Sequence, residues 1–262
     1  MELINKTALV TGASGGIGEE LARQLAERGA HLVLVARRAD ALERLRREIL
    51  AAHPGREVTV IPADLAEADA GREVVDALRA AGRPVDLLVN NAGIGSHGAF
   101  AEQDPAAVAR LIQLNITSLV DLTGRLLPGM LERGCGGVVN VASTAAFQPV
   151  PSMAVYAASK AFVLSFTEAL WGETRGTGVR VLTLCPGATE TAFFTNTGKE
   201  FLTRGRQTPA EVARTALNAL DGHAPTAVSG LANRLSSAGY RFLPRAAMIR
   251  FSQDAVRATH AA

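Results

Sequence analysis

Short apolar runs alternate along the chain with longer stretches whose apolar residues recur every three or four positions. The runs cover residues 7–10, 31–36, 57–62, 85–89, 137–143, 179–184 and 227–230. They are too short for helices and mostly apolar throughout, as strands buried on both faces are. After the first run, Ile17, Leu21 and Leu25 share one helical face. Residues 40–53 repeat the pattern with Leu42, Leu45 and Ile49. There Asp40 reads as the helix cap, with Glu43 completing a capping box. A third stretch from Asp104 to about Arg133 reads as one long helix or a broken pair, and a fourth runs through Tyr156 to about Arg175. Thr208-Pro-Ala-Glu211 is a second capping box and opens another helix. Strands separated by helices predict an α/β fold, a doubly wound parallel sheet of about seven strands with helices on both faces and right-handed crossovers.

Two segments depart from this rhythm. Residues 192–207, with Phe193, Phe194, Gly198 and Gly205, lose periodicity. A loop that long inside a compact domain is usually functional, and the expectation is a mobile substrate lid. From Leu231 onward five arginines (Arg234, Arg241, Arg245, Arg250 and Arg257) stand against Asp254. The plainest reading of this basic, helical extension is packing on the sheet end or on a partner subunit. Contact with a membrane surface is the lesser reading, because the apolar stripe is irregular. No repeat, low-complexity tract or linker interrupts the chain, so residues 1–262 are expected to form a single domain.

Composition changes the picture only at its margins. A hydrophobic content of 48% over 262 residues supports a large core, and 5% aromatics make it mostly aliphatic. A net charge of +2 argues against nucleic acid as the main partner. Met1-Glu-Leu-Ile-Asn-Lys6 runs straight into a strand with no secretory pattern, and no run of 18 apolar residues exists. The expectation is a cytoplasmic protein in which Cys135 and Cys185 stay reduced. The five histidines are scattered and form no ligand cluster, so no metal is expected.

The chemistry gathers where the apolar runs end. Thr11-Gly-Ala-Ser-Gly-Gly-Ile-Gly18 joins the first strand to a helix, the context of a dinucleotide-binding turn. Gly12 permits the tight turn, Gly16 lets the backbone approach a pyrophosphate, and Gly18 lets the helix sit close on the sheet. An NAD-specific site would carry an acid after the second strand. Here Ala36 is followed by Arg37 and Arg38, which with Ser14 suit a ribose 2′-phosphate. NADP(H) is therefore expected over NAD(H). Asp64 reads as a cap for a helix near Ala66, and Asn115 falls among apolar helix positions where a buried amide needs a task. Tyr156 and Lys160 stand one helical turn apart, and the chain has only 2 Tyr and three Lys. A neighbouring cation favours the phenolate and moves the phenol toward neutrality. Ser143 emerges at a strand end, where its hydroxyl can reach a substrate carbonyl.

Ser143, Tyr156-x-x-x-Lys160 and the Gly-x-x-x-Gly-x-Gly turn together resemble the classical short-chain dehydrogenase/reductase family, with its Rossmann-type sheet. The resemblance runs from Lys6 to about Thr191 and more loosely to about Gly230. It implies a hydride passing between nicotinamide and a substrate carbon while Tyr156 exchanges the proton. It further implies that Lys160 holds the nicotinamide ribose, that Ser143 polarises the carbonyl, and that Asn115 holds a water linking Lys160 to solvent. Asp64 and Leu65 would meet the adenine, and Asn91, Ala92 and Gly93 the nicotinamide-side ribose, while Asn90 braces the sheet. Ile17, Pro186, Gly187, Thr189 and Thr191 complete the implied cofactor set. Ala145, Gln148, Met153 and Phe193 are candidate substrate contacts in a largely apolar pocket. The resemblance also implies a homo-oligomer, dimer or tetramer. A ketone, a steroid-like compound or a 3-oxoacyl thioester remain open as substrate. An epimerase or dehydratase of the extended branch and a non-catalytic NADP-binding scaffold are the alternatives. Neither matches as well, since the glycine spacing is of the classical type and all four catalytic positions are filled.

Overall fold

The computed structural model describes residues 1–193 and 205–257. Residues 194–204, which hold most of the expected lid, lie outside the described residues. Seven strands form one sheet: β1 (Thr7–Thr11), β2 (His31–Ala36), β3 (Val58–Pro62), β4 (Leu87–Asn90), β5 (Gly136–Val141), β6 (Val179–Cys185) and β7 (Thr226–Val228). Their spatial order is β3-β2-β1-β4-β5-β6-β7, and every pair is parallel. This is the expected doubly wound sheet. The order reverses beside β1, and the crevice over the carboxyl ends of β1 and β4 is where such a sheet places a ligand.

Among the described residues the α-helices are α1 (Gly16–Glu27), α2 (Ala39–Ala52), α3 (Ala70–Ala80), α4 (Pro105–Ile112), α5 (Ser118–Glu132), α6 (Ala154–Glu173), α7 (Pro209–Leu220), α8 (Leu231–Gly239) and α9 (Arg245–Arg257). On one face of the sheet, Leu21, Leu25, Leu42 and Leu45 of α1 and α2 join Val212 and Leu217 of α7 in a buried cluster. On the other, Val74 and Leu78 of α3 pack with Leu122 and Met130 of α5. Burying such side chains contributes about 1.5–3 kcal/mol each, and these two layers hold the strand ends in register.

Four local readings need correction. Helix α2 begins at Ala39 with Arg38 at its cap and no capping side chain, so Asp40 sits in the first turn and forms no capping box. There its charge still complements the helix dipole. The helix expected near Ala66 begins at Ala70; Asp64 does not cap it, and accepts a local hydrogen bond from the Ala66 amide, 3.1 Å away. The strand expected over 85–89 is β4, and it takes in Asn90. The long stretch after Asp104 is neither one regular helix nor two separate ones: a π-helical turn, Gln113–Thr117, joins α4 to α5. By contrast, Thr208 and Glu211 make the expected capping box.

Candidate active site

The site begins where β1 turns into α1. Gly12 has φ +66°, and a Cβ there would stand 2.8 Å from Asn91 Nδ2; one on Gly16, at φ +57°, would stand 2.8 Å from Thr191 Cγ2. Only glycine leaves the backbone of this turn accessible. Gly18 acts beneath the turn, where a Cβ would lie 2.4 Å from the Gly12 carbonyl oxygen. It permits close helix packing and, unlike Gly12, Ser14, Gly16 and Ile17, does not line the cavity above.

The next strand ends are tied to this turn. The Thr11 hydroxyl accepts from the Asn91 and Ala92 amides at 2.9 and 3.0 Å, and Asn91 Nδ2 donates to the Thr11 carbonyl at 2.9 Å. Asn90 braces the sheet: its Nδ2 donates to Asn140 Oδ1 of β5 at 2.9 Å and to the Thr123 hydroxyl at 3.0 Å. Asn140 escaped sequence reading because it looks like one polar residue in an apolar run.

A cavity of about 1000 Å³ opens above. One end is lined by the glycine turn, Arg37, Arg38, Asp64 and Leu65; Asn91, Ala92, Gly93, Pro186, Gly187, Thr189 and Thr191 line its middle. Arg38 donates to the Ser14 carbonyl at 2.6 Å, which places its guanidinium at the lip of the turn. Arg110 of α4 pairs with Asp64 and also approaches Glu67. Burial would raise the Asp64 carboxyl, but the Arg110 hydrogen bond, the Ala66 amide and the Arg110 and Arg37 charges hold it below its ordinary value. Arg110 lies 46 residues away in sequence and carries no motif, so nothing in the chain announced the pair.

Ser143, Tyr156 and Lys160 line the same cavity. Ser143 lies two residues past β5 and opens a 3₁₀ turn, Thr144–Phe147, by accepting from the Ala145 amide at 3.1 Å. Tyr156 and Lys160 are one turn apart near the start of α6, both buried. Lys160 Nζ donates to the Val141 carbonyl at 2.8 Å and stands 5.9 Å from the Tyr156 ring centre. Burial pushes the phenol up to about 12, with the Ser143 hydroxyl pulling the other way, and pushes the Lys160 ammonium down to about 8. This corrects the expectation of a phenol drawn toward neutrality. Desolvation of both groups outweighs their mutual effect at this separation.

Asn115 does not line the cavity. It sits on the π-helical turn, where the shifted backbone aims its side chain at the loop after β4. Its Oδ1 accepts from the Ile94 amide, and its Nδ2 donates to the Ile94 carbonyl and to the Ser159 hydroxyl, at 2.9, 2.9 and 3.1 Å. Ser159 in turn donates to the Tyr156 carbonyl at 2.7 Å. A Cβ on Gly93 would meet both Asn115 Oδ1 and Lys160 Nζ, at 3.2 and 3.4 Å.

The far end of the cavity is lined by Ala145, Gln148, Val150, Met153 and Phe193, the last with its ring centre 5.3 Å from that of Tyr156. Its remaining wall comes from the C-terminal segment, through Asn233, Ser236, Tyr240, Phe251 and Ser252. The Ser252 hydroxyl donates to the Pro149 carbonyl at 2.7 Å, and Met248 is buried beside it on α9. The extension thus roofs the site within this chain instead of merely packing on a sheet end. Both tyrosines of the chain line this cavity, but nothing in the sequence placed Tyr240 there.

The family model for short chain dehydrogenase matches residues 6–201. The chain belongs to that family. It is 36% identical over 225 residues to the ketoacyl reductase HetN of Nostoc sp., covering 83% of this chain and 76% of that protein. Among solved structures, a short-chain dehydrogenase from Sphingobium yanoikuyae in complex with NADPH is 33% identical with a TM-score of 0.82, over 90% of this chain and 94% of that one. A short chain dehydrogenase/reductase from Burkholderia phymatum in complex with NAD is 27% identical with a TM-score of 0.82, over 91% and 93%. Family membership makes this chain an oxidoreductase of CH–OH groups. Among the described residues, no helix is long and apolar enough to cross a membrane.

Proposed function

We propose that the protein is an NADP(H)-dependent oxidoreductase that interconverts a carbonyl and a secondary alcohol on a largely apolar small molecule. The observation that carries this is one cavity holding the glycine turn and two arginines at one end and Ser143, Tyr156 and Lys160 at its centre. The residues fit a dinucleotide, because side chains at Gly12 or Gly16 would fill the cradle that their glycines leave open. Arg37 and Arg38 are exposed, line the cavity and form no ion pair among the described residues, which suits a 2′-phosphate. Asp64, Leu65, Asn91 to Gly93, Pro186, Gly187, Thr189 and Thr191 would hold the rest, as Lys160 would hold a ribose hydroxyl with the N–H donors not bound to Val141. Bound NADPH supplies the hydride.

The chain supplies the proton and its path. The Ser143 hydroxyl orients the substrate oxygen. Tyr156, with its phenol raised to about 12, is protonated at neutral pH and acts as an acid toward an alkoxide, a far stronger base. The Lys160 charge stabilises the phenolate left behind. In the reverse direction the phenolate takes the proton back from the alcohol. Asn115 acts as a positioning residue, fixing the loop beside Lys160 and the backbone of Tyr156 through Ser159. Ketones, steroid-like compounds and 3-oxoacyl thioesters fit the apolar far end, and the Nostoc relative is named as a ketoacyl reductase. Assembly as a homo-oligomer belongs to the same reading by family membership.

Absorbance at 340 nm, followed with NADPH and NADH against a panel of neutral ketones and 3-oxoacyl thioesters, tests the reading. NADPH-dependent loss of absorbance with a higher kcat/KM than NADH is expected; preference for NADH, or no turnover of any carbonyl, would overturn it.

A further inference from the structure

The far end of the cavity carries its own chemical instruction. Among the described lining residues only Arg37, Arg38, Asp64 and Lys160 bear charge; the first three sit with the glycine turn and the fourth at the catalytic centre. Beyond Tyr156 the described walls are apolar or neutral, with Val150, Met153 and Phe193 packed against the phenol. Nothing described there can neutralise a carboxylate or phosphate, and burying such a group unpaired is strongly unfavourable. One polar group stands out. Gln148 follows the 3₁₀ turn that Ser143 opens, and its Oε1 is fully withdrawn from solvent without a hydrogen-bond partner. Buried carboxamide oxygens nearly always accept a hydrogen bond, and because Gln148 lines the cavity, a turn of its carboxamide would present this oxygen to a donor on a bound molecule. The main chain beside it is fixed, because Ser252 of α9 donates to the carbonyl of Pro149, the next residue.

Building on the proposed carbonyl reduction, we infer that Gln148 is a specificity-determining residue: it selects neutral substrates that carry a second hydrogen-bond donor, a hydroxyl or amide N–H, distal to the reacting carbonyl. The carbonyl oxygen lies with Ser143 and Tyr156, and the distal donor meets the Gln148 carboxamide. A hydrogen-bonding site of this kind rejects the analogue that lacks the group, because its own buried polar atom is then left unpaired.

Two neutral ketones of one skeleton, with a hydroxyl or a methyl group at the distal position, test this in the full chain with NADPH. The wild type is expected to favour the hydroxy ketone by roughly tenfold in kcat/KM, mostly through KM. Gln148→Met, similar in volume but without the acceptor, is expected to lose that preference, the ratio of kcat/KM for the two ketones falling to about one, while binding NADPH unchanged. Gln148→Leu serves if the first variant does not bind NADPH. Equal use of the two ketones by the wild type, or a preference that survives in the variant, would overturn the inference and leave carbonyl reduction standing. If neither ketone is reduced although NADPH binds, the underlying reading falls and the inference with it.

Discussion

The two ends of the cavity are built by different means. The end proposed for the dinucleotide is floored by backbone, turns at the carboxyl ends of adjacent strands with glycines at positions where a side chain would collide at 2.8 Å, and rimmed by the Arg37, Arg38 and Asp64 side chains. The substrate end is made of side chains from segments far apart in the chain, the 3₁₀ turn after Ser143 and helices α8 and α9 nearly a hundred residues later. A cradle of backbone accommodates one shape and tolerates little change. A wall of side chains can be altered one residue at a time while the sheet stays intact. On the proposed reading, cofactor binding and chemistry are set by the fold, and substrate choice is a property of the roof and the turn beneath it.

The largest break in that comparison falls at the junction of the two ends. Tyr156→Phe removes the proposed proton donor and leaves both walls standing. Turnover is expected to fall roughly 100- to 10,000-fold, with NADPH affinity by fluorescence titration close to wild type. At the dinucleotide end, the double change Arg37→Ala and Arg38→Ala is expected to weaken NADPH binding roughly tenfold or more. The same titration with NADH should move little, which reduces the preference between the two. At the substrate end, Ser252→Ala frees α9 from the Pro149 carbonyl. A rise in substrate KM of roughly two- to tenfold is expected, with NADPH affinity unchanged.

The smallest effect lies in the pH dependence of stability. Burial lowers the Lys160 ammonium from 10.5 to about 8, so the folded protein holds that proton less tightly than the unfolded chain. The cost of burying the charge is fully present below about pH 8 and is relieved as pH rises from there toward 10.5, so stability contributed at this site increases through that window. Lys160→Met removes the dependence. Any constant offset from the unpaired Val141 carbonyl cancels when two pH values are compared. Thermal unfolding without cofactor should show the difference in Tm between variant and wild type shifting in favour of wild type between about pH 7 and 9.5. A difference that stays constant would mean that Lys160 is not buried as a cation.

What the sequence made legible follows the same division. Thr7 to Gly18, the Arg37–Arg38 pair and the Tyr156–Lys160 spacing are local patterns, and each lies where its pattern says. Phe193 and Gln148 could be placed near the site because they flank those motifs. Arg110, Asn140, Tyr240 and Ser252 could not, since each acts through a partner distant in the chain: Asp64, Asn90, the cavity wall and Pro149. The raised phenol of Tyr156 was likewise hidden. Spacing gives the proximity of two side chains, whereas the sign of the shift depends on how much water the fold removes from both.

The central claim is that hydride and proton meet the same carbonyl at Tyr156. It is tested most directly by supplying NADPH deuterated at the transferable C4 position together with a neutral ketone, then analysing the product by mass spectrometry. The wild type is expected to give an alcohol with one deuterium on the carbinol carbon, and Tyr156→Phe almost none in the same time. An alcohol without deuterium, or equal labelled product from the variant, would contradict the account.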